Sequence, residues 1–124
     1  MRGVAEAIRS VTEAYMASLQ FSCREAVDDA MYAAVRYASS TCRIDFVTDV
    51  REEEVVVRLS SLQAPLTTDV RLLAMRNLGA RRRQLRPLWD KVRADDPEAV
   101  KLWLEERWPL IISLIANPRI WVEV

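Results

Sequence analysis

An arginine-rich segment, residues 69–93, contains the side chains with the clearest chemical potential in this chain. It holds eight basic residues against two acidic ones, although the formal net charge of the whole chain is zero. A guanidinium group presents a planar fork of donors that matches the oxygens of a phosphate. A local basic patch matters more for phosphate binding than overall charge does. The segment therefore predicts contact with a polyanion, and the alternative is an ordinary solvated helix face.

Placed on a helix at about 100° per residue, this segment separates apolar from basic positions. The apolar arc consists of Val70, Ala74, Leu78, Leu85, Leu88 and Val92. Arg71, Arg82 and Arg93 follow one another on a second arc. Gly79 is expected to weaken the middle of this helix, and Pro87 to kink or end it. We predict an amphipathic helix whose polar face is almost entirely guanidinium.

The residues that most enzymes need are missing. The chain has no His, which removes the usual general base near neutral pH, and its two Gly residues exclude a glycine-rich phosphate loop. Cys23 and Cys42 are too few and too far apart for a zinc site, and whether they are buried thiols or a disulfide stays open. We predict a protein that is not an enzyme and has no cofactor, metal or small-molecule substrate.

The first third of the chain is predicted to be helical. Apolar residues recur at helical spacing from Val4 to Leu19, and Ser22 with Glu25 has the pattern of a capping box that starts a second helix. Small side chains, many of them Ala and Ser, suit close approach to another surface. We predict a bent helical arm over residues 1–43, and a helical hairpin folded back on the core is the alternative.

Residues 44–62 admit two interpretations. Strand-like composition at Ile44, Phe46 and the valines that follow allows a hairpin around Glu52–Glu54. Asp49 followed by Glu52 is instead a helix-start pattern, which favours a helix over residues 50–63. We adopt the helix, so the prediction is an all-α fold with a small helical bundle over residues 44–124.

The C-terminal part predicts a buried helix and a subunit interface. Asp96-Pro97-Glu98 is a clear helix opening, and Pro109 should break or bend the helix that follows. The apolar run after Pro109 is far shorter than the roughly 20 residues of a membrane span, so none is predicted. Core packing is one explanation for this apolar surface, and oligomerisation is an addition to it. The predicted interface residues are Trp108, Ile111, Ile112, Ile115, Ile120 and Trp121.

The order of these elements resembles the major coat proteins of rod-shaped and filamentous archaeal viruses (rudiviruses, lipothrixviruses and tristromaviruses). A short helix opens at Thr48-Asp49-Val50 and a break follows at Ala64-Pro65. A basic amphipathic helix then runs from Val70 to Leu85, and the turn at Asp96-Pro97-Glu98 leads into the apolar run WPLIISLIANP. The likeness covers residues 48–118, and the N-terminal arm matches by architecture.

The resemblance implies a virion protein of a hyperthermophile's virus, assembled in the host cytoplasm. Paired subunits, either two copies or a copy with a paralogue, would wrap double-stranded DNA with their helical arms inside a helical filament. Binding would be independent of DNA sequence. The residues implied for phosphate contact are Arg9, Arg24, Arg36, Arg71, Arg76, Arg82, Arg83, Arg86 and Arg93.

Two other functions remain open at this point. The first is a small helical interaction module, such as a subunit of a ribonucleoprotein whose arginine face meets RNA or an acidic protein. The second is a small regulator that dimerises through the Trp-rich C-terminus. Glu6, Arg9 and Glu13 interrupt any apolar run near the N-terminus, so no signal peptide is predicted.

Overall fold

The computed structural model describes residues 2–64 and 66–122, and an antiparallel sheet lies at its centre. Five strands cross the sheet in chain order: β1 (Ser22–Asp28), β2 (Tyr32–Ala38), β3 (Cys42–Asp49), β4 (Glu54–Ser61) and β5 (Thr68–Asp69). The α-helices are α1 (Val4–Ser18), α2 (Val70–Asn77) and α3 (Pro97–Ile115). The predicted all-α fold is therefore wrong, because the chain is a mixed α/β protein.

Strands replace the second half of the predicted helical arm. Along β2, Ala33, Val35 and Tyr37 are buried while Arg36 between them is half-buried, which is the two-residue period of a strand with one covered face. Ser22 begins β1 instead of capping a helix. The capping-box pattern at Ser22 and Glu25 had predicted a second helix, but burial in β2 alternates from residue to residue, so packing in the sheet overrides that local signal.

Polar side chains close the turns between these strands. The Oδ1 atom of Asp49 accepts hydrogen bonds from the N–H groups of Arg51 (2.9 Å) and Glu52 (3.3 Å). A helix N-cap makes the same kind of bond, and therefore Asp49 resembled the start of a helix. In the structure the chain turns here and returns as β4, so the predicted helix over residues 50–63 is wrong and the alternative hairpin is formed.

One face of the sheet carries the hydrophobic core. Phe46 is fully buried at the centre, with ring centroids 6.0 Å from Tyr37 and 5.9 Å from Trp108 of α3. Trp108 also meets Tyr15 of α1 edge-on at 5.9 Å. α1 and α3 thus lie side by side over the same face, and these aromatic contacts join both helices to the sheet.

The opposite face is a single open layer with its charges in register. Glu25 pairs with Arg36, Arg36 with Asp45, Asp45 with Arg58, and Arg58 with Asp69 across the five strands. Asp45 is only 7% exposed, and its Oδ1 lies 3.2 Å from Arg36 Nε. Opposite charges directly across a sheet stabilise strand pairing, so this row lets the uncovered face meet water.

The C-terminal helix begins where it was predicted, but Pro109 does not break it. Asp96 caps α3 by accepting hydrogen bonds from the N–H groups of Glu98 and Ala99, and the helix continues through Pro109 to Ile115. The boundary predicted at residue 43 falls inside β3, and the predicted break at Ala64-Pro65 includes Pro65, which lies outside the described residues. No helix in the described ranges combines the length and apolar character that a membrane span requires.

Tyr37 makes the stability of the fold decrease at alkaline pH. Its hydroxyl is 2.8 Å from Thr12 Oγ1, which also lies 2.9 Å from the Ile8 carbonyl, so Thr12 can donate its proton either to that carbonyl or to the Tyr37 oxygen. Burial raises the pKa of Tyr37 from 10.0 to about 12, and the Thr12 hydrogen bond opposes part of that rise. The neutral phenol therefore stabilises the fold below pH 10, and this contribution is lost as the pH rises towards 12.

We expect wild-type protein to lose about 2 kcal/mol of unfolding free energy between pH 10 and 12 that the variant Tyr37→Phe does not lose. Urea unfolding at a series of pH values measures the difference. Tyr32→Phe is the matched control, because Tyr32 is 42% exposed and should follow the wild-type profile. Parallel profiles for wild type and Tyr37→Phe would contradict this assignment.

Candidate polyanion-binding site

The arginine-rich segment is only partly helical. α2 ends at Asn77, and Gly79 has a φ of 66°, the left-handed conformation that glycine adopts readily after a helix. Two 3-10 helices follow, Arg82–Gln84 and Arg86–Trp89. The predicted helix through Leu85 is therefore wrong beyond Asn77, because Gly79 ends it and Pro87 starts a new short helix.

Buried leucines and α3 hold the segment in place. Leu85 and Leu88 are 1% and 3% exposed and belong to the core. Arg107 of α3 donates to the Pro87 carbonyl (2.6 Å) and to the Asp90 carboxylate (2.8 Å). These bonds fix the backbone on either side of Leu88, so the segment is anchored although it has little regular structure.

Arg71 is the second anchor, and it is an internal one. Arg71 is 7% exposed, and its side chain donates hydrogen bonds to the Asp69 carboxylate from Nε (3.0 Å) and Nη2 (2.6 Å). Nη1 donates to the Leu88 carbonyl at 3.2 Å, and the guanidinium carbon lies 4.7 Å from the centroid of the Trp89 ring. We predicted Arg71 as a phosphate contact, but in the structure its donors are occupied within the protein.

Three arginines on this anchored segment point to solvent around one hollow. Arg82, Arg83 and Arg86 are exposed and, together with Trp89, line a depression of about 390 Å³. Among the described residues, none of these three guanidinium groups forms an ion pair with a carboxylate. We refer to Arg82, Arg83 and Arg86 as the arginine cluster. Guanidinium groups without a carboxylate partner in the protein are free to bind an anion.

The Trp89 ring supports the arginine cluster. The guanidinium carbons of Arg71 and Arg82 lie 4.7 and 4.6 Å from its centroid. Such contacts hold a cation in place through the electrostatic field of the ring. The ring is thus already engaged by two cations of the protein and is not free as a stacking platform. Neither Trp89 nor Arg107 was predicted as a site residue. The closeness of Trp89 to the arginines in the sequence could have indicated its place in the site, because nucleic-acid-binding sites commonly combine aromatic and basic side chains.

The remaining arginines predicted to contact phosphate are scattered. Arg9 pairs with Glu13 at 2.7 Å on α1, and Arg36 lies in the charge row of the open sheet face. Arg24 on β1 and Arg76 on α2 are exposed, and Arg93 is exposed with Asp95 at 3.7 Å. Of the nine predicted residues, the three of the arginine cluster line the hollow, and Arg71 lies beside them against the Trp89 ring.

The residues predicted for a subunit interface lie largely inside the fold. Ile111, Ile115 and Ile120 are at most 3% exposed and belong to the core. Trp108 and Trp121 pack against that core, and Ile112 is half-buried. This apolar surface is used within the subunit, as the core-packing explanation would have it.

Comparisons of the chain with protein-family models, curated proteins and solved structures gave no match. The resemblance to archaeal virus coat proteins therefore stays a prediction. Two elements that carried it, a helix opening at Thr48-Asp49-Val50 and a continuous helix to Leu85, are absent from the described residues. The same residues contain no group of three or more His, Cys, Asp or Glu side chains placed to hold a metal ion.

Proposed function

We propose that this protein binds double-stranded nucleic acid through phosphate contacts made by the arginine cluster. The observation that carries the proposal is the convergence of Arg82, Arg83 and Arg86 on one hollow without internal carboxylate partners. The cluster lies on a segment that Arg71 and Arg107 anchor. A backbone fixed before binding loses less conformational freedom when its side chains meet a ligand, and this favours affinity.

A duplex is a better partner for this site than a single strand. Binding of single-stranded nucleic acid commonly relies on aromatic rings on which bases stack. Trp89 is the aromatic residue of the hollow, and two guanidinium groups already lie over it. Phosphates remain accessible in a duplex while its bases do not, so an arginine cluster without a stacking ring suits a duplex backbone. Such binding would be independent of sequence.

The test is the salt dependence of binding to a short labelled duplex DNA, followed by fluorescence anisotropy. Three phosphate contacts predict that the logarithm of the association constant falls with the logarithm of the salt concentration at a slope of about −2.7. This slope corresponds to a loss of about 40-fold in affinity between about 50 and 200 mM salt. The variant Arg82→Ala/Arg83→Ala/Arg86→Ala should lose nearly all of this slope. Unchanged anisotropy for wild type at low salt would overturn the proposal.

A matched control separates the arginine cluster from general charge. The variant Arg24→Ala/Arg76→Ala/Arg93→Ala removes the same number of charges from exposed arginines that do not line the hollow. We expect its slope to stay within about one unit of the wild-type slope. Equal losses in the two triple variants would show that net charge, and not the cluster, governs binding.

A virion coat is the larger role proposed from the sequence resemblance, and it requires assembly in addition to binding. Subunits would have to associate head to tail along the duplex so that contacts propagate without closing. Electron microscopy of the protein mixed with duplex DNA distinguishes continuous filaments from isolated complexes. Isolated complexes together with the expected salt slope would retain the binding proposal and eliminate the coat.

A further inference from the structure

A cavity lies at the end of the molecule where α1 and α3 both finish. Its volume is about 540 Å³, within the usual range for small-molecule sites of roughly 300 to 1,000 Å³. The partly exposed side chains of Leu19 and Trp121 contribute apolar surface, while Ser40 and Thr41 contribute hydroxyl groups. Its lining contains no charged side chain. We call it the terminal cavity.

The two helices that end here are parallel neighbours. At their starts, Gly3, which caps α1, lies against Pro97, the first residue of α3. A methyl group on Gly3 would be 3.5 Å from Pro97 Cγ. At their ends, Leu19 and Ala116, the residues that cap α1 and α3, both line the terminal cavity. Each helix carries about half a negative charge at its C-terminus, so the two partial charges add in one place.

Charged side chains cap these two helices at their N-terminal ends only. At the N-termini, Asp28 accepts from the Ala5 N–H of α1, and Asp96 caps α3. In the last turns of α1 and α3 there is no basic residue. The lining of the terminal cavity likewise contains no cation, so no basic side chain there offsets the partial negative charges of the two helix ends.

Aromatic rings add a second attraction for positive charge. Phe21 and Trp121 line the cavity and stack with centroids 6.4 Å apart and planes inclined at 25°. Trp121 Nε1 donates to the Ile115 carbonyl at 3.0 Å, which fixes the indole beside the end of α3. The faces of such rings attract ammonium groups, most strongly where water is excluded.

We propose that the terminal cavity binds a small organic ammonium ion with an apolar body. The ammonium group would lie by the helix ends and the rings of Phe21 and Trp121, and the apolar body would cover Leu19, which is 39% exposed. The hydroxyl groups of Ser40 and Thr41 offer acceptors to its N–H donors. This site shares no residue with the arginine cluster, so either proposal can fail without the other.

Three phenyl compounds that differ in charge test the proposal: 2-phenylethylamine, 2-phenylethanol and phenylacetate at neutral pH. Amide chemical shifts of the full chain in NMR titrations report both affinity and location. We expect the amine to bind about tenfold more tightly than the alcohol, with shifts at Phe21, Thr41 and Trp121, and phenylacetate to bind most weakly. Equal affinity of amine and alcohol, or no shifts at these residues, would overturn the proposal.

The variant Ala116→Lys places a cation at the end of α3, where it complements the dipole and is compatible with folding. It should weaken binding of the amine about tenfold and leave the alcohol within about twofold. Leu102→Lys is the control, since Leu102 is 58% exposed on α3 and about 21 Å from Ala116 along the helix. A similar loss in both variants would attribute the effect to net charge and overturn the proposal.

Discussion

Replacing Arg71 with Ala is expected to lower the free energy of unfolding by about 3 to 5 kcal/mol. Arg71 is 7% exposed, and its guanidinium contacts Asp69, the Leu88 carbonyl and the Trp89 ring. Glu54 Oε2 lies a further 3.7 Å from its Nη2 atom. Removing the cation would leave the carboxylates of Asp69 and Glu54, whose side chains are 13% and 29% exposed, without the guanidinium that they share, and this costs more than the lost contacts alone.

Urea unfolding followed by circular dichroism measures this loss. Arg76→Ala is the matched control, because Arg76 lies on the same helix, is exposed and forms no ion pair within the described residues; its effect should be within about 0.5 kcal/mol. Arg71→Lys keeps the charge and loses the two-pronged contact with Asp69, so an intermediate loss is expected. A loss of under about 1 kcal/mol for Arg71→Ala would contradict the anchoring role.

Replacing Phe46 with Ala should destabilise the protein by about 3 to 5 kcal/mol. Phe46 is fully buried and joins Tyr37 of the sheet to Trp108 of α3. Its removal would leave a cavity where the two layers meet, and the surrounding strands can collapse into it only in part. Thermal or urea unfolding measures the change.

The neighbouring residue provides the control for that prediction. Val47 follows Phe46 on β3 but lies on the open face of the sheet, where it is half-buried. Val47→Ala should cost no more than about 1 kcal/mol, because it removes less volume and leaves no enclosed cavity. Similar losses for the two variants would contradict the assignment of one covered and one open face.

The sequence predicted the segment that contains the candidate site, but it did not distinguish the three residues that form the site from the other predicted arginines. Arg82, Arg83 and Arg86 were among nine predicted phosphate contacts, and charge density alone pointed to their segment. Sequence spacing could not reveal that Arg71 is buried against Asp69 or that Arg36 pairs with Asp45. An arginine is available to a ligand only where no internal carboxylate reaches it, and that depends on parts of the chain far apart in sequence.

The sequence by itself determined the elements whose signals are local. The apolar spacing of α1 and the capping pattern at Asp96 act over single helical turns, and both predicted helices are present. The tertiary structure decided that residues 22–61 form strands, because their alternating residues gain burial only when α1 and α3 cover one sheet face. It also decided which guanidinium groups stay free and where two parallel helix ends meet, since both depend on packing between distant segments.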